Sequence, residues 1–359
     1  MCARVAVVYN EPNPSRYDRT HEQKAVVGVL EAVEAVRASI AELGHEVVLL
    51  PLVPPFETAR EKLASLDVSL VFNLFEGFCG QPETEALVPE ALNELGLCYT
   101  GCEAPVVRLA LDKAKVKVLL QAAGIPTADF QLLNPETIST FQLPFPCIVK
   151  PRAEDASHGI TADSVVKDFP SLARQVKVVA ESYGSAALVE KFIGGREFNA
   201  TVMGNYECTV LPVSEIVYSL SPDVPRILSF EAKWEEDSAY FKGTKVVCPA
   251  EISEAERDYV AGTAMAAYIL LDCCGYARVD MRFDENGRLN VMEVNPNPDI
   301  SPGTGAARQA LAAGMNYTQF IDKIMKLALE KKNYGRQHPP HGRRRQAGAD
   351  ANTPQYARI

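Results

Sequence analysis

Tyr276-Ala-Arg-Val-Asp-Met-Arg-Phe283 and Arg288-Leu-Asn-Val-Met-Glu-Val-Asn295 are two short alternating runs joined by Asp284-Glu-Asn-Gly287. Asn286-Gly287 is a strong hairpin signal, because both positions tolerate positive φ. With those two residues as the loop, pairing runs symmetrically about them. Asp280 then faces Glu293, and Arg278 faces Asn295. Period-two alternation puts these four side chains on one face. Val279, Met281, Met292 and Val294 fall on the other, and all are apolar. Adjacent carboxylates are costly unless a cation neutralises them. Their hard oxygens, with the Asn295 amide, suit Mg²⁺, which keeps waters and phosphate oxygens in its shell. The hairpin predicts a strand buried on one side and a cation-binding cleft on the other.

The chain around it divides into three units and a tail. Residues 4–9 read as a buried strand. A helix follows, with Val26, Leu30, Val33, Val36 and Ile40 at helical spacing and Gly44 as its stop. Strands at 46–50 and 68–73 and a helix near 83–95 complete a β-α-β pattern, so 1–107 is a Rossmann-like parallel-sheet domain. Residues 108–193 form a small α+β unit: a helix near 111–122, a strand at 146–150, a polar loop, a helix near 168–182 and a strand at 187–192. Residues 194–331 carry further strands, a helix opened by the capping box Ser253-Glu-Ala-Glu256, the hairpin, and a final helix near 305–330. Residues 332–359 are basic and poor in apolar residues, which predicts a disordered tail. The fold class is α/β with α+β units.

Composition narrows the function. The chain has 359 residues, 47% apolar and 23% charged, enough for two or three domains. No apolar run reaches the roughly 18 residues of a membrane span. A formal charge of −10 disfavours nucleic acid as a partner. Nine cysteines, an odd count without metal-type spacing, predict reduced thiols in a cytoplasm.

Three lysines stand in telling contexts. Lys113 opens a helix in Leu111-Asp-Lys. Lys150 ends a strand directly before Pro151 and a Gly-containing loop, where a cation is placed to meet phosphates. Lys233 lies in Glu231-Ala-Lys-Trp234. The loop Ala153 to Gly159 offers backbone N–H groups, Ser157 and His158. Glu190-Lys-Phe-Ile-Gly-Gly-Arg-Glu197 joins two strands and carries acids suited to an adenine amine and ribose hydroxyls. There is no G-x-x-x-x-G-K-[ST], G-x-G-x-x-G or G-x-S-x-G motif, so an ATP site needs another phosphate-binding design.

Together these segments resemble the ATP-grasp superfamily, and within it the D-alanine–D-alanine ligases. The likeness runs in order from about residue 68 to 330: Leu111 to Lys117, Ile148-Val-Lys-Pro151, Val189 to Phe198, Glu231 to Trp234, Arg278-Val-Asp280 and Glu293-Val-Asn295. It implies an ATP-grasp fold and an ATP-dependent carboxylate–amine ligase working through an acyl phosphate. It implies that Lys113 and Lys150 bind ATP phosphates. Glu190, Lys191 and Ile193 would line the adenine pocket, and Glu197 would hold the ribose. Asp280, Glu293 and Asn295 would bind two Mg²⁺, with Mn²⁺ as the alternative. Arg278, Ser157 and Lys233 would serve catalysis, with Arg278 at the reacting acyl centre. The partners implied are small amino acids or a short peptide, and a homodimer stays open.

The departures fall at amino-acid positions. The first strand runs into Asn10-Glu-Pro-Asn-Pro-Ser-Arg-Tyr17 where that family has Gly-Gly-x-Ser. Ala156 stands before Ser157 where two serines are usual, Trp234 replaces a tyrosine, and Pro296 to Gly303 replaces a Gly-rich segment. They predict retained ATP chemistry with an altered amino-acid pocket. Glu11 and Glu22 are the candidates for gripping an amino group, and Asn297 to Thr304 for a carboxylate. A D-alanine–D-alanine ligase proper and an ATP-binding module without ligation are the alternatives.

Overall fold

The computed structural model describes residues 2–12, 28–154 and 157–337, with side chains through Lys331. Strands β1 (Arg4–Asn10), β2 (Glu46–Leu52) and β3 (Leu70–Leu74) form a parallel sheet in the order β2-β1-β3. The helix Val29–Glu42 covers it with Val33, Val36 and Ile40. Leu30, expected on that face, is 39% exposed, and the buried stripe runs through Val29 and Ala32 instead. Gly44 sits at φ +81° just past the helix, a conformation that suits glycine.

The second sheet is small and antiparallel. Strands β4 (Phe130–Leu133), β5 (Cys147–Pro151), β6 (Val165–Val166) and β7 (Ala187–Lys191) take the order β4-β7-β5-β6. The helix Phe169–Tyr183 starts at an Asp168 capping box. It buries Leu172, Val176 and Val179, spaced four and three apart, against Cys147, Val149 and Val189.

The third sheet carries the hairpin. It comprises β8 (Glu197–Gly204), β9 (Cys208–Val210), β10 (Ser214–Tyr218), β11 (Thr244–Val247), β12 (Gly275–Phe283) and β13 (Leu289–Asn295), in the order β11-β10-β8-β12-β13 with β9 beside β8. Helix Glu254–Leu270 opens with the Ser253–Glu256 capping box. It packs Val260, Ala264 and Ala267 onto Val279, Met281 and Val291.

Three expectations shift. The helices Ala104–Leu111 and Lys113–Ala122 pack Val106, Val107, Val116 and Leu120 into the third sheet's core, so the helix expected in the small unit leans on the hairpin sheet. The final helix is two, Gly305–Ala312 and Tyr317–Gln337, parted at Gly314 (φ +85°). The second runs past residue 331 and packs Phe320, Ile321 and Ile324 against Val5, Val7 and Val36. The expected tail from 338 onward lies outside the described residues.

The turn also differs. Asp284 N–H bonds Arg288 O and Gly287 lies at φ +74°, a three-residue loop rather than two. That loop moves the pairing to Phe283↔Leu289 and Met281↔Val291. A bulge at Met292 then restores Asp280↔Glu293 and Arg278↔Asn295. Two irregularities cancel, and the charged register matches the symmetric reading. Met292, expected on the apolar face, is turned to the cleft. Val291 takes its place in the core, fully buried.

Candidate active site

A cleft of ≈ 660 Å³ lies between the two antiparallel sheets and reaches the first domain. One end is apolar, with Ile148, Ile160, Phe192, Ile193, Ile227 and Met292. Its middle holds the lysines and the hairpin charges. The far end carries Glu31, Glu76, Glu85, Asn297, Asp299 and Arg308.

The hairpin side chains pair with cations. Arg278 grips Asp280 through two hydrogen bonds, Nε to Oδ1 at 2.7 Å and a terminal nitrogen to Oδ2 at 2.8 Å. The two residues are two apart on one strand and so share a face. Lys113 Nζ lies 2.8 Å from Glu293 Oε1 and also donates to Glu154 O at 2.5 Å. Burial pushes the Glu293 carboxyl up, but Lys113, Lys150 and Arg278 outweigh it and hold it at about 2. Arg278 is kept protonated by Asp280 and Glu293 against the opposing effect of burial.

Behind this surface sits a buried charge triad. Lys150 Nζ is 2.9 Å from Glu190 Oε2, and Lys117 Nζ is 3.1 Å from Glu190 Oε1. The second contact is close but poorly aligned for a hydrogen bond. Lys117 donates instead to Thr127 Oγ1 at 2.9 Å, and Thr127 donates to Val291 O at 2.7 Å. Burial pushes the Glu190 carboxyl up, and the two lysines bring it below the ordinary carboxylate range.

Lys233 faces Arg278, Asp280, Glu293 and Glu197; burial and Arg278 lower it, and the three carboxylates oppose them. Ser157, at φ +64°, donates its hydroxyl to Leu228 O at 2.8 Å. His158 is 5% exposed, and its ring lies tilted against that of Phe230 with the centroids 5.7 Å apart. Glu197 accepts from Tyr218 at 2.5 Å and meets Arg282 at 2.9 Å. Arg282 also donates to Ile193 O at 2.8 Å, which fixes the chain where it leaves the apolar end.

Lys113, Lys150, Ser157, Ile193, Glu197, Lys233, Arg278, Asp280, Glu293 and Asn295 all line the one cleft. Glu190 and Lys191 do not. Glu190 is fully buried because both its oxygens face lysines, so it lies behind the cleft wall rather than in it. Lys191 turns outward to Glu285 at 2.6 Å, since strand alternation opposes it to Glu190. Glu11 is exposed and does not line the cleft. Glu22, Asp155 and Ala156 lie outside the described residues. The sequence pattern does not single out Lys117, Thr127 and Arg282 as site residues. A capped helix carrying Lys113 and Lys117 four apart was the available signal, because such residues share one face.

The donor chemistry fits a hard dication. Asp280, Glu293 and Asn295 line the same cleft, and among the described residues no group of three His, Cys, Asp or Glu could hold a metal by itself. A sparse oxygen set is what Mg²⁺ accepts when waters and phosphates complete its shell.

Two antiparallel sheets around a cleft that joins paired lysines to a carboxylate hairpin define an ATP-grasp protein. A family model described as D-ala D-ala ligase C-terminus matches residues 119–326. The chain belongs to the D-alanine–D-alanine ligase family. A D-alanine–D-alanine ligase of Gluconobacter oxydans is 32% identical over 303 residues, 84% of this chain and 92% of that one. An uncharacterized protein of Sinorhizobium fredii, y4sG, is 33% identical over 300 residues, 82% of this chain and 86% of its own. The crystal structure of D-alanine–D-alanine ligase from Bacillus anthracis complexed with ATP has a TM-score of 0.71 at 22% identity, covering 93% of this chain and 99% of that one. The VanG D-Ala:D-Ser ligase from Enterococcus faecalis has a TM-score of 0.70 at 19% identity, covering 91% of this chain and all of its own.

Proposed function

We propose that this protein is an ATP-dependent carboxylate–amine ligase whose amino-acid pocket differs from that of a D-alanine–D-alanine ligase. The observation that carries it is the Lys113–Glu293 contact at 2.8 Å, which ties a lysine expected to meet phosphates to the carboxylate hairpin inside one cleft. The apolar end around Ile193 and Met292 takes the base, and Glu197 takes the ribose. Lys113 and Lys150 take the phosphates. A substrate carboxylate oxygen attacks the γ-phosphorus, and ADP leaves. The amine then attacks the acyl phosphate carbon, and phosphate leaves with the C–O bonding pair. Arg278 faces the developing oxyanion, and Lys233 offsets charge on the phosphoryl oxygens. Asp280, Glu293 and Asn295 would hold Mg²⁺ or Mn²⁺, which supplies further charge neutralisation when bound.

The far end supports the altered pocket. Asn297, in the segment that departs from the family, donates to Phe75 O at 3.2 Å and to Glu85 at 2.8 Å. It is therefore engaged with the first domain. Glu31, Glu76, Glu85 and Asp299 make this end acidic, which suits ammonium groups. None of the nine cysteines is joined in a disulfide. Among the described residues, no helix is long and apolar enough to cross a membrane.

The test is phosphate release across pairs of D- and L-amino acids, with products identified by mass. D-alanine alone is expected to give little release, and another pair to give ADP, phosphate and an amide. Robust release with D-alanine would instead make it a D-alanine–D-alanine ligase. ATP binding without release from any pair would favour a nucleotide-binding module.

A further inference from the structure

We propose that Lys117 is a positioning residue: it is the standing counter-ion of Glu190, and so leaves Lys150 available to an anionic ligand. The inference rests on the ATP reading of the cleft. Three charges share one buried spot. Glu190 and Lys117 are each 1% exposed at the side chain, while Lys150 is 18% exposed and lines the cleft. Only Lys150 can reach a ligand. If Glu190 had Lys150 as its sole partner, any turn of Lys150 toward a phosphate would strand a buried carboxylate, which is strongly unfavourable. Lys117 removes that obstacle. With both lysines present the triad carries one net positive charge, and that charge faces the cleft through Lys150.

Lys117 is fixed where this role needs it. Its Nζ donates to Thr127 Oγ1 at 2.9 Å, and Thr127 donates to Val291 O at 2.7 Å. Val291 N–H in turn donates to Pro126 O at 2.8 Å. Val291 directly precedes the Met292 bulge and Glu293. The counter-ion is thus clamped to the strand that carries the candidate metal ligand and cannot follow Lys150 toward the ligand. A purely structural ion pair would need one lysine, and here there are two of unequal access.

The test is calorimetric binding of ATP and of adenosine to the full-length protein with Mg²⁺. Lys117→Met should weaken ATP by about tenfold or more, the scale of one charge-assisted contact, and leave adenosine within about twofold. Lys117→Met/Glu190→Gln restores the single positive charge on Lys150 and should bind ATP within about threefold of wild type. Lys117→Met binding ATP like wild type would overturn the proposal, as would a double variant no better than the single. Should Lys117→Met fail to fold, the double variant decides by itself: near-wild-type affinity supports the charge account, and a loss of about tenfold overturns it. A wild type that binds no ATP would fail the ligase reading before any variant is compared, and this proposal with it.

Discussion

Glu293→Gln is expected to lower turnover by about 10²–10³-fold while the fold survives, the scale on which one preorganised electrostatic group acts. The substitution keeps shape and one carbonyl oxygen. It removes the charge that Lys113 meets at 2.8 Å and one of the two hairpin carboxylates. The same variant has an acid signature. Glu293 is held at about 2 against an ordinary 4.5, a depressed carboxylate. Its contribution to stability is present above about 4.5 and is lost as pH falls toward 2. The stability gap between wild type and variant, read from urea midpoints, should therefore shrink between pH 7 and pH 3. Turnover retained in Glu293→Gln would sink the metal-ligand assignment, and a gap unchanged with pH would contradict the Lys113–Glu293 contact.

Glu190→Gln should cost about 3–5 kcal/mol of folding stability, because it strands a buried lysine. Lys150 can turn into the cleft and recover solvent. Lys117 is 1% exposed and keeps only the Thr127 hydroxyl and the new amide. An exposed pair would move stability by about 1 kcal/mol at most. Urea denaturation separates the two, and a loss below about 1 kcal/mol would show that Lys117 escapes to water.

How far the sequence was legible depends on the range of the interaction. Alternation, capping and turn chemistry are local. They placed β1, β3, the Ser253 helix start and the facing of Asp280 with Glu293. The register at Asp280 was reached from a two-residue turn, although the chain uses a longer loop and a bulge. A bulge has no strong local signature, so the inversion of Met292 was not readable. Lys117 was opaque for another reason. A helical lysine is usually solvated, and only the distant Glu190 and Thr127 make its burial tolerable. The packing of the helix Ala104–Leu111 on the third sheet is likewise a non-local choice between two apolar faces. The superfamily was legible because its motifs are spread along the chain in order. The amino acids were not, because Asn297 and Glu85 meet across 212 positions of sequence.

The central claim is that this cleft activates a carboxylate by phosphorylation. It is tested most directly by supplying the preferred amino acid with ¹⁸O in its carboxylate, together with ATP and the accepting amine, and weighing the released phosphate. The account predicts one ¹⁸O in inorganic phosphate alongside ADP and the amide. Unlabelled phosphate, or release of AMP, would contradict it.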